Sequence, residues 1–248
     1  MRRPAAISII ALALGAICLA PQVSAQDPGR REEGPREIEK CQTIDKPGSY
    51  KLVNDLTSTG ASLSITASFV SIDLAGFTIS GPGNPSQPNS AAGIGIEAGN
   101  DTTGIAVRNG SIVGFRDGVI LGGDGSIVEG LRVFGSGCPC FAGILANGIV
   151  RGNTVLNVAG FPGEEGVGIT ATGIITGNYA VGSRGAQYEI GQGSTVIGNT
   201  AVGGPVLVTV GFLVQCPSNV TDNTAINNER SNLVLNGNGC NNTNNVAP

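Results

Sequence analysis

Side chains that could act on a bound molecule are few and scattered in this chain of 248 residues, which contains no histidine. Without an imidazole, the sequence excludes Ser-His-Asp and Cys-His catalysis and every histidine-ligated metal site. Residues 52–248 contain no lysine, and their acidic residues stand singly apart from Glu164-Glu165. An acid–base pair would therefore have to come from isolated carboxylates and six arginines. The arginines are Arg108, Arg116, Arg132, Arg151, Arg184 and Arg230.

Several phenylalanines accompany charged residues in segments of irregular length between short apolar runs. Aromatic faces stack on sugar rings, and carboxylate or guanidinium groups hydrogen-bond hydroxyls or uronates, so these segments are candidates for a glycan site. The alternative is that charges on exposed loops are simply solvated. We assign no catalytic residue. The ligand-binding candidates are Phe115, Arg116, Asp117, Phe134, Phe141, Phe161, Glu164, Glu165, Arg184 and Arg230.

A repeated asparagine indicates which elements would position these residues. Asn153, Asn178, Asn199 and Asn223 each follow a turn residue, at separations of 25, 21 and 24 residues. Such a period marks a solenoid, whose repeats must stack because none can bury its own apolar face. Glycine, asparagine and aspartate tolerate the left-handed conformation of a sharp bend, and stacked amides can hydrogen-bond to one another. The predicted turn ladder is Gly152-Asn153, Gly177-Asn178, Gly198-Asn199 and Asp222-Asn223, with earlier members at Gly76-Phe77, Asn109-Gly110 and Gly130-Leu131.

Apolar residues keep step with these turns and indicate strands. Strands one repeat apart must run parallel, and continuous apolar columns suit a core between parallel sheets. The sequence therefore predicts an all-β fold, a single right-handed parallel β-helix solenoid of about seven to nine coils. Arg108, Glu129 and Arg151 recur in one column, which we interpret as an exposed ladder of ion pairs; the alternative is a ligand groove. The paired apolar positions are Ile94/Ile96, Val119/Leu121, Ile144/Ala146, Val167/Ile169, Tyr188/Ile190, Phe212/Val214 and Leu233/Leu235.

Three segments resemble secreted bacterial right-handed parallel β-helix repeat proteins, which share the pectate-lyase-like fold. They are CQTIDKPGSYKL from Cys41, VSIDLAGFTISG from Val70, and CPSNVTDNTAINNERSNLVLNGNGCNNTNNVAP from Cys216. The resemblance covers roughly residues 41–248 and implies the fold more than an activity, because this fold hosts lyases, hydrolases, epimerases and adhesins. Motifs that its catalytic members use are missing: there is no Asp-Pro-His, no adjacent aspartate pair and no Arg-x-Pro-x-x-Arg.

The first 25 residues have the pattern of a secretory signal peptide. Arg2 and Arg3 precede an apolar run from Ile7 to Ala20, and Val23-Ser24-Ala25 forms a small-residue cleavage site. The alternative is a membrane anchor, which requires an apolar run of about 20 residues. Export would place the protein in the periplasm or outside the cell, with no transmembrane segment after cleavage.

After the signal, we expect a flexible charged leader at residues 26–40 and the β-helix domain at residues 41–248. The Arg36–Lys40 end of the leader could form a short capping helix. Removal of the signal leaves 12 basic and 18 acidic residues, a net charge of −6. This charge argues against nucleic acid or an anionic membrane as a partner.

Cysteine positions predict one disulfide. Cys216 and Cys240 lie one repeat apart at the same position of the frame, and stacked strands are about 4.8 Å apart, within reach of a disulfide. Cys138 and Cys140 lie in a loop, where one of them could pair with Cys41 or stay a free thiol. We expect no cofactor and no metal; the Gly122–Gly125 segment resembles one piece of a calcium-binding repeat, but a single copy does not support a calcium site.

The sequence favours one function and leaves two alternatives. We expect an exported, monomeric scaffold that binds extracellular or envelope polysaccharide without catalysis. The first alternative is a polysaccharide lyase or hydrolase with its site on the variable-loop edge, the side of the solenoid that carries the segments of irregular length between the strand after each asparagine turn and the next pair of apolar residues. Such a site requires at least two ionisable groups to converge on one bond. The candidates for such convergence are Asp117, Glu164, Glu165 and Arg184. The second alternative is a purely structural or adhesive surface solenoid.

Overall fold

Short β-strands that bend at glycine, asparagine and aspartate make up the regular structure of this chain. The structure is a computed structural model that describes residues 34–83, 92–135, 142–158, 166–204 and 209–248. These ranges contain 22 strands and no helix, and the strands wind into a parallel β-solenoid of about eight turns. The predicted all-β fold and number of coils are confirmed. Among these residues no helix is long and apolar enough to cross a membrane.

Each turn contributes to three faces, here called sheets 1, 2 and 3, and strands of successive turns pair in parallel. Sheet 1 contains β2 (Gln42–Ile44), β5 (Leu63–Ile65), β8 (Ile94–Ala98), the starts of β10 (Asp117–Phe134), β11 (Ala142–Arg151) and β13 (Val167–Thr176), then β15 (Ala186–Ile190), β18 (Val210–Gln215) and β21 (Ser231–Asn236).

Sheet 2 follows sheet 1 along the chain, and sheet 3 follows the asparagine turn. Sheet 2 contains β1 (Arg36–Ile38), β3 (Gly48–Leu52), β6 (Val70–Asp73), the start of β9 (Ala106–Val113), the middle of β10, the ends of β11 and β13, β16 (Thr195–Ile197), β19 (Asn219–Thr221) and β22 (Asn241–Thr243). Sheet 3 contains β4 (Leu56–Thr57), β7 (Thr78–Ser80), the ends of β9 and β10, β12 (Thr154–Leu156), β14 (Tyr179–Val181), β17 (Thr200–Val202) and β20 (Thr224–Ile226).

Apolar side chains at alternate strand positions form the core, as the sequence predicts. In sheet 1, Val119 pairs with Ile96 on one side and Ile144 on the other, and all three are fully buried. The predicted alignment is wrong by two residues in two turns, because Ile96 and Ile169 occupy this column instead of Ile94 and Val167. A shift of two residues keeps side chains on the same face of a strand, so the inward pattern survives the error.

A column of glycines marks the start of sheet 1, at Gly95, Gly118, Gly143, Gly168 and Gly211. A Cβ atom at Gly143 would lie 2.8 Å from the carbonyl oxygen of Gly168, and one at Gly168 would lie 2.6 Å from that of Gln187. Gln187 interrupts the column, and its buried side-chain amide hydrogen-bonds the backbone N–H and C=O of Ser183. Close packing of successive turns therefore excludes most side chains here.

The predicted asparagine ladder is present and buried. The Nδ2 atom of Asn153, Asn178 and Asn199 donates to the Oδ1 atom of the next asparagine at 2.9, 2.9 and 3.0 Å. In Asn178, Nδ2 also donates to the backbone carbonyl of Val150, and Oδ1 also accepts from the backbone N–H of Asn153. Since an amide offers two donor hydrogens and two acceptor lone pairs, the hydrogen-bonding capacity of Asn178 is fully used.

The ladder continues one rung beyond the predicted residues. Asn223 donates through Nδ2 to Oδ1 of Asn245 at 2.9 Å, and at the other end the Leu131 N–H donates to Oδ1 of Asn153. The residue before each ladder asparagine has a left-handed backbone, as predicted for these turns. The φ angles are 62° at Gly152, 62° at Gly177, 64° at Gly198 and 56° at Asp222.

A disulfide between Cys216 and Cys240 joins the last two turns, with the Cα atoms 5.0 Å apart. Among the described cysteines, Cys41 is free. The loop cysteines Cys138 and Cys140 lie outside the described residues, so their pairing stays a prediction.

Two local features differ from the sequence interpretation. Residues Arg36–Ile38, at the end of the predicted leader, form strand β1 paired with β3, where the sequence suggested a short helix. In the exposed charge column, Arg151 pairs with Glu129 at 2.9 Å, but Arg108 pairs with Asp73 at 3.7 Å. Solvent screens such exposed pairs, so they contribute little to stability.

Replacing Asn178 with alanine tests the ladder. The change removes the acceptor that the buried Asn153 N–H and Asn153 Nδ2 share, and each buried group left unpaired costs about 1–3 kcal/mol. We expect the free energy of unfolding, measured by chemical denaturation, to fall by about 2–4 kcal/mol. Asn54→Ala, at an exposed asparagine, is the control and should change it by less than about 0.5 kcal/mol. Equal effects of the two changes would contradict the ladder's role.

Candidate functional site

Phe115 is a core residue and not a ligand contact, so this part of the sequence prediction is wrong. Its side chain is 0% exposed. It lies where side chains at Gly81 and Gly95 would otherwise be, since Cβ atoms there would come within 2.8 and 3.3 Å of its ring. The ring therefore fills the space that these two glycines leave, and it cannot stack on a sugar.

Asp117 is also buried, with a side chain that is 1% exposed. Its Oδ2 atom accepts a hydrogen bond from Nε of Arg116 at 2.9 Å, and its Oδ1 atom has no hydrogen-bond partner. Burial raises the pKa of the Asp117 carboxyl, while the hydrogen bond and charge of Arg116 lower it to a smaller extent. A ligand cannot reach this carboxylate directly, so Asp117 is wrong as a contact residue.

Of the other predicted ligand residues on the variable-loop edge, the structure describes three. Phe134 is half-buried on the outer face of sheet 3, in register with Val113 and Leu156. Arg184 is partly exposed, and Arg230 is exposed beside a cavity of about 610 Å³ at the last turn. The remaining candidates, Phe141, Phe161, Glu164 and Glu165, lie outside the described residues. Convergence of Asp117 with Glu164, Glu165 and Arg184 therefore stays untested.

The outer face of sheet 1 carries a groove that sequence reasoning missed. One cavity of about 560 Å³ lies between Glu97, Asp101 and Leu145, and a second of about 240 Å³ lies between Leu145 and Glu189. Both cavities contact Leu145, so they lie next to each other along the solenoid, and together they are here called the sheet 1 groove. Among the predicted ligand-binding residues that the structure describes, none lines it.

Residues of one outward-facing column of sheet 1 line this groove from end to end. Strand register aligns Glu97, Ile120, Leu145, Thr170 and Glu189 in five successive turns. With strands about 4.8 Å apart, the two glutamates at its ends are about 19 Å apart. Polar residues at the corner between sheets 1 and 2 form one rim of the groove. They are Thr66, Asn100, Asp101, Asn147, Thr172 and Gln215.

A signal for this column exists in the sequence. Each of its members follows directly after an inward residue of sheet 1, as Ile120 follows Val119 and Leu145 follows Ile144. Two aliphatic residues at outward positions of successive turns are unusual for a solvated face. What the sequence does not show is which outward column has open space above it.

Phe69 lies on the same corner, three residues beyond Thr66, and the sequence did not single it out. Its side chain is 69% exposed, and its backbone has φ of 58°. A left-handed conformation is rare for a bulky residue and costs on the order of 1–3 kcal/mol. Retention of an exposed aromatic ring at a strained position is a feature typical of functional sites.

Metal ligands do not gather in the part of the chain that the structure describes, where no three His, Cys, Asp or Glu residues are placed to hold an ion. The Gly122–Gly125 segment lies within β10. A Cβ atom at Gly123 would lie 1.6 Å from the carbonyl oxygen of Thr102. Close packing between turns is therefore a sufficient reason for a glycine at position 123, and a calcium site is not needed to explain it.

Comparisons with known proteins show no family. No protein-family model and no curated protein matches the chain. Its structure is similar to the crystal structure of the Dettilon tailspike protein, with a TM-score of 0.42 and 12% sequence identity. The match covers 84% of this chain and 60% of that chain, so this chain spans about three fifths of the tailspike's length.

Asp117 gives stability a specific pH dependence. Since its folded pKa is raised, the protonated carboxyl favours the fold, and this contribution is lost as pH rises through the folded pKa. Asp117→Asn removes the titration at nearly constant volume. We expect the variant to gain stability relative to the wild type as the pH rises from about 3 to 7, in urea denaturation at each pH. Asp124→Asn, at an exposed site, is the control; a pH-independent difference for Asp117→Asn would contradict this account.

Proposed function

We propose that the protein binds an extended polysaccharide along the sheet 1 groove without cleaving it. The observation that carries this proposal is the alignment of two neighbouring cavities, of about 560 and 240 Å³, on either side of Leu145 along one column of sheet 1. A groove that crosses several turns suits a polymer, because each successive unit meets a new strand. We also propose that binding occurs in the periplasm or outside the cell, which the disulfide and the signal-like first residues support.

The chemistry of the groove suits a sugar chain. Ile120 and Leu145 form an apolar floor, while Asn147, Thr170 and Thr172 add hydrogen-bonding groups. Sugar rings have apolar faces and hydroxyl edges, so they match a site with apolar walls and a few polar groups. The exposed ring of Phe69 on the same corner provides a further stacking surface.

The distance between the glutamates at the two ends of the groove supports binding over hydrolysis. Glycosidases place two carboxyl groups about 5–9.5 Å apart across the scissile bond. Glu97 and Glu189 lie four strands apart, about 19 Å, which is too far for such a pair.

One observation favours hydrolysis as a second candidate function. Glu97 and Asp101 line the same cavity, at one end of the groove, and a pair of carboxylates is the usual equipment for glycoside cleavage. Product release distinguishes the two functions: a hydrolase shortens the glycan and loses activity in Glu97→Gln, whereas a binding protein leaves chain length unchanged over long incubation.

A single comparison decides between the sheet 1 groove and the variable-loop edge. Leu145→Ser should weaken binding to a glycan ligand at least about tenfold, because it removes the residue that both cavities share. Leu213→Ser is the matched control, since Leu213 occupies the same outward column but lines neither cavity. Binding is measured by calorimetry against a ligand found on a glycan array.

The opposite outcome would support the loop edge instead. If Phe134→Ala or Arg184→Ala abolishes binding at unchanged thermal stability, while Leu145→Ser binds like the wild type, the ligand lies on the variable-loop edge. The groove proposal then fails, and the residues predicted from sequence on that edge become the site.

Phe69 provides a test in which stability and binding move in opposite directions. Asparagine tolerates the left-handed backbone at this position, so Phe69→Asn should keep or raise the melting temperature. The same change removes the exposed ring, and we expect glycan affinity to fall about three- to tenfold. Phe77→Ala, which removes a ring packed partly against the core, should instead lower stability. Unchanged affinity in Phe69→Asn would exclude the ring from the site.

A further inference from the structure

We infer that the polysaccharide bound in the sheet 1 groove carries positive charge, as a chain of amino sugars with free amines does. This inference rests on the proposed function and adds the chemical class of the ligand. It follows from the distribution of charge along the groove.

Three carboxylates line the groove. Glu97 and Asp101 lie at one end, and Glu189 lies at the other. In the described part of the chain none of these carboxylates has a hydrogen bond or an ion pair, whereas Glu129 on sheet 2 is paired with Arg151. Carboxylates without partners along a concave surface concentrate negative potential there.

Basic residues do not balance this charge. Lysine and arginine are absent from the described residues that line the two cavities. The two arginines of the exposed charge column on sheet 2 already form ion pairs, Arg108 with Asp73 and Arg151 with Glu129. The whole chain is also acidic, with a net charge of −4. A polyuronate would therefore meet repulsion at both ends of the groove, and ammonium groups would meet attraction there.

The separation of the carboxylates favours a polymer over a single cation. About 19 Å lies between the column positions of Glu97 and Glu189, with Ile120, Leu145 and Thr170 between them. A small cation can satisfy only one end of such a site. A chain of amino sugars can place separate ammonium groups at both ends, while its rings cover the apolar residues between them.

The test compares three oligosaccharides that differ in charge: oligomers of glucosamine, the same oligomers fully N-acetylated, and oligogalacturonate. Binding is measured by calorimetry in a mildly acidic buffer that keeps sugar amines protonated. We expect the glucosamine oligomer to bind at least tenfold more tightly than its acetylated form, and oligogalacturonate not to bind. Because the attraction is electrostatic, the preference should shrink at high salt.

Variants connect the charge preference to the groove. Glu97→Gln and Glu189→Gln should each lower affinity for the glucosamine oligomer about three- to tenfold and leave affinity for the acetylated oligomer unchanged. Glu39→Gln is the control, because it makes the same charge change at an exposed residue outside the groove. Leu145→Ser should weaken binding of both oligomers.

The outcomes separate the two proposals. Equal binding of the charged and neutral oligomers, sensitive to Leu145→Ser, would overturn the charge inference and keep the proposed function. Equally tight binding of a lysine oligomer would overturn the inference in favour of a basic peptide. Failure of Leu145→Ser to affect any glycan that binds would overturn both.

Discussion

Hydrogen bonding between stacked asparagine amides is the interaction that holds the later turns of this solenoid in register, from Asn153 to Asn245. Each rung links a side chain to the next turn and to a carbonyl of the previous turn, as at Asn178. A buried amide without partners is costly, so a turn that slips out of register loses several bonds together. From Asn153 to Asn245 the ladder thereby favours the register in which the three sheets pair.

The regularity of that corner explains how much of the fold can be predicted from sequence. Turn residues, inward columns and the Cys216–Cys240 disulfide all recur at one-turn spacing, so a periodic pattern identifies them without any knowledge of contacts. Errors arise where the pattern is incomplete. Asn245 was missed because Val246 follows it, where the earlier repeats have threonine or tyrosine. The two-residue error at Ile94 arose because its strand has apolar residues at three alternate positions.

The candidate site was harder to predict, because a site depends on empty space and periodicity reports only occupied positions. Phe115 lies beside charged residues in a segment that the sequence predicts to be a loop, so it resembles an exposed aromatic residue. It is buried because Gly81 and Gly95 have no side chains. Leu145 shows the same limit on the outer face. Its place between the predicted inward residues Ile144 and Ala146 makes it an outward residue, but only the fold shows that it lies between two cavities. Both assignments depend on neighbours one turn away.

The glycine column at the start of sheet 1 has a consequence for how such a protein can diversify. At Gly143 and Gly168 an added methyl group would collide with the backbone of the following turn, so we expect substitutions there to destabilise the fold. The outward positions nearby face no such barrier. We therefore expect tolerated substitutions to be concentrated in the exposed columns of the same strands. A family of such solenoids can acquire new ligand preferences by exchanging surface residues turn by turn, while the spacing of the turns stays constant.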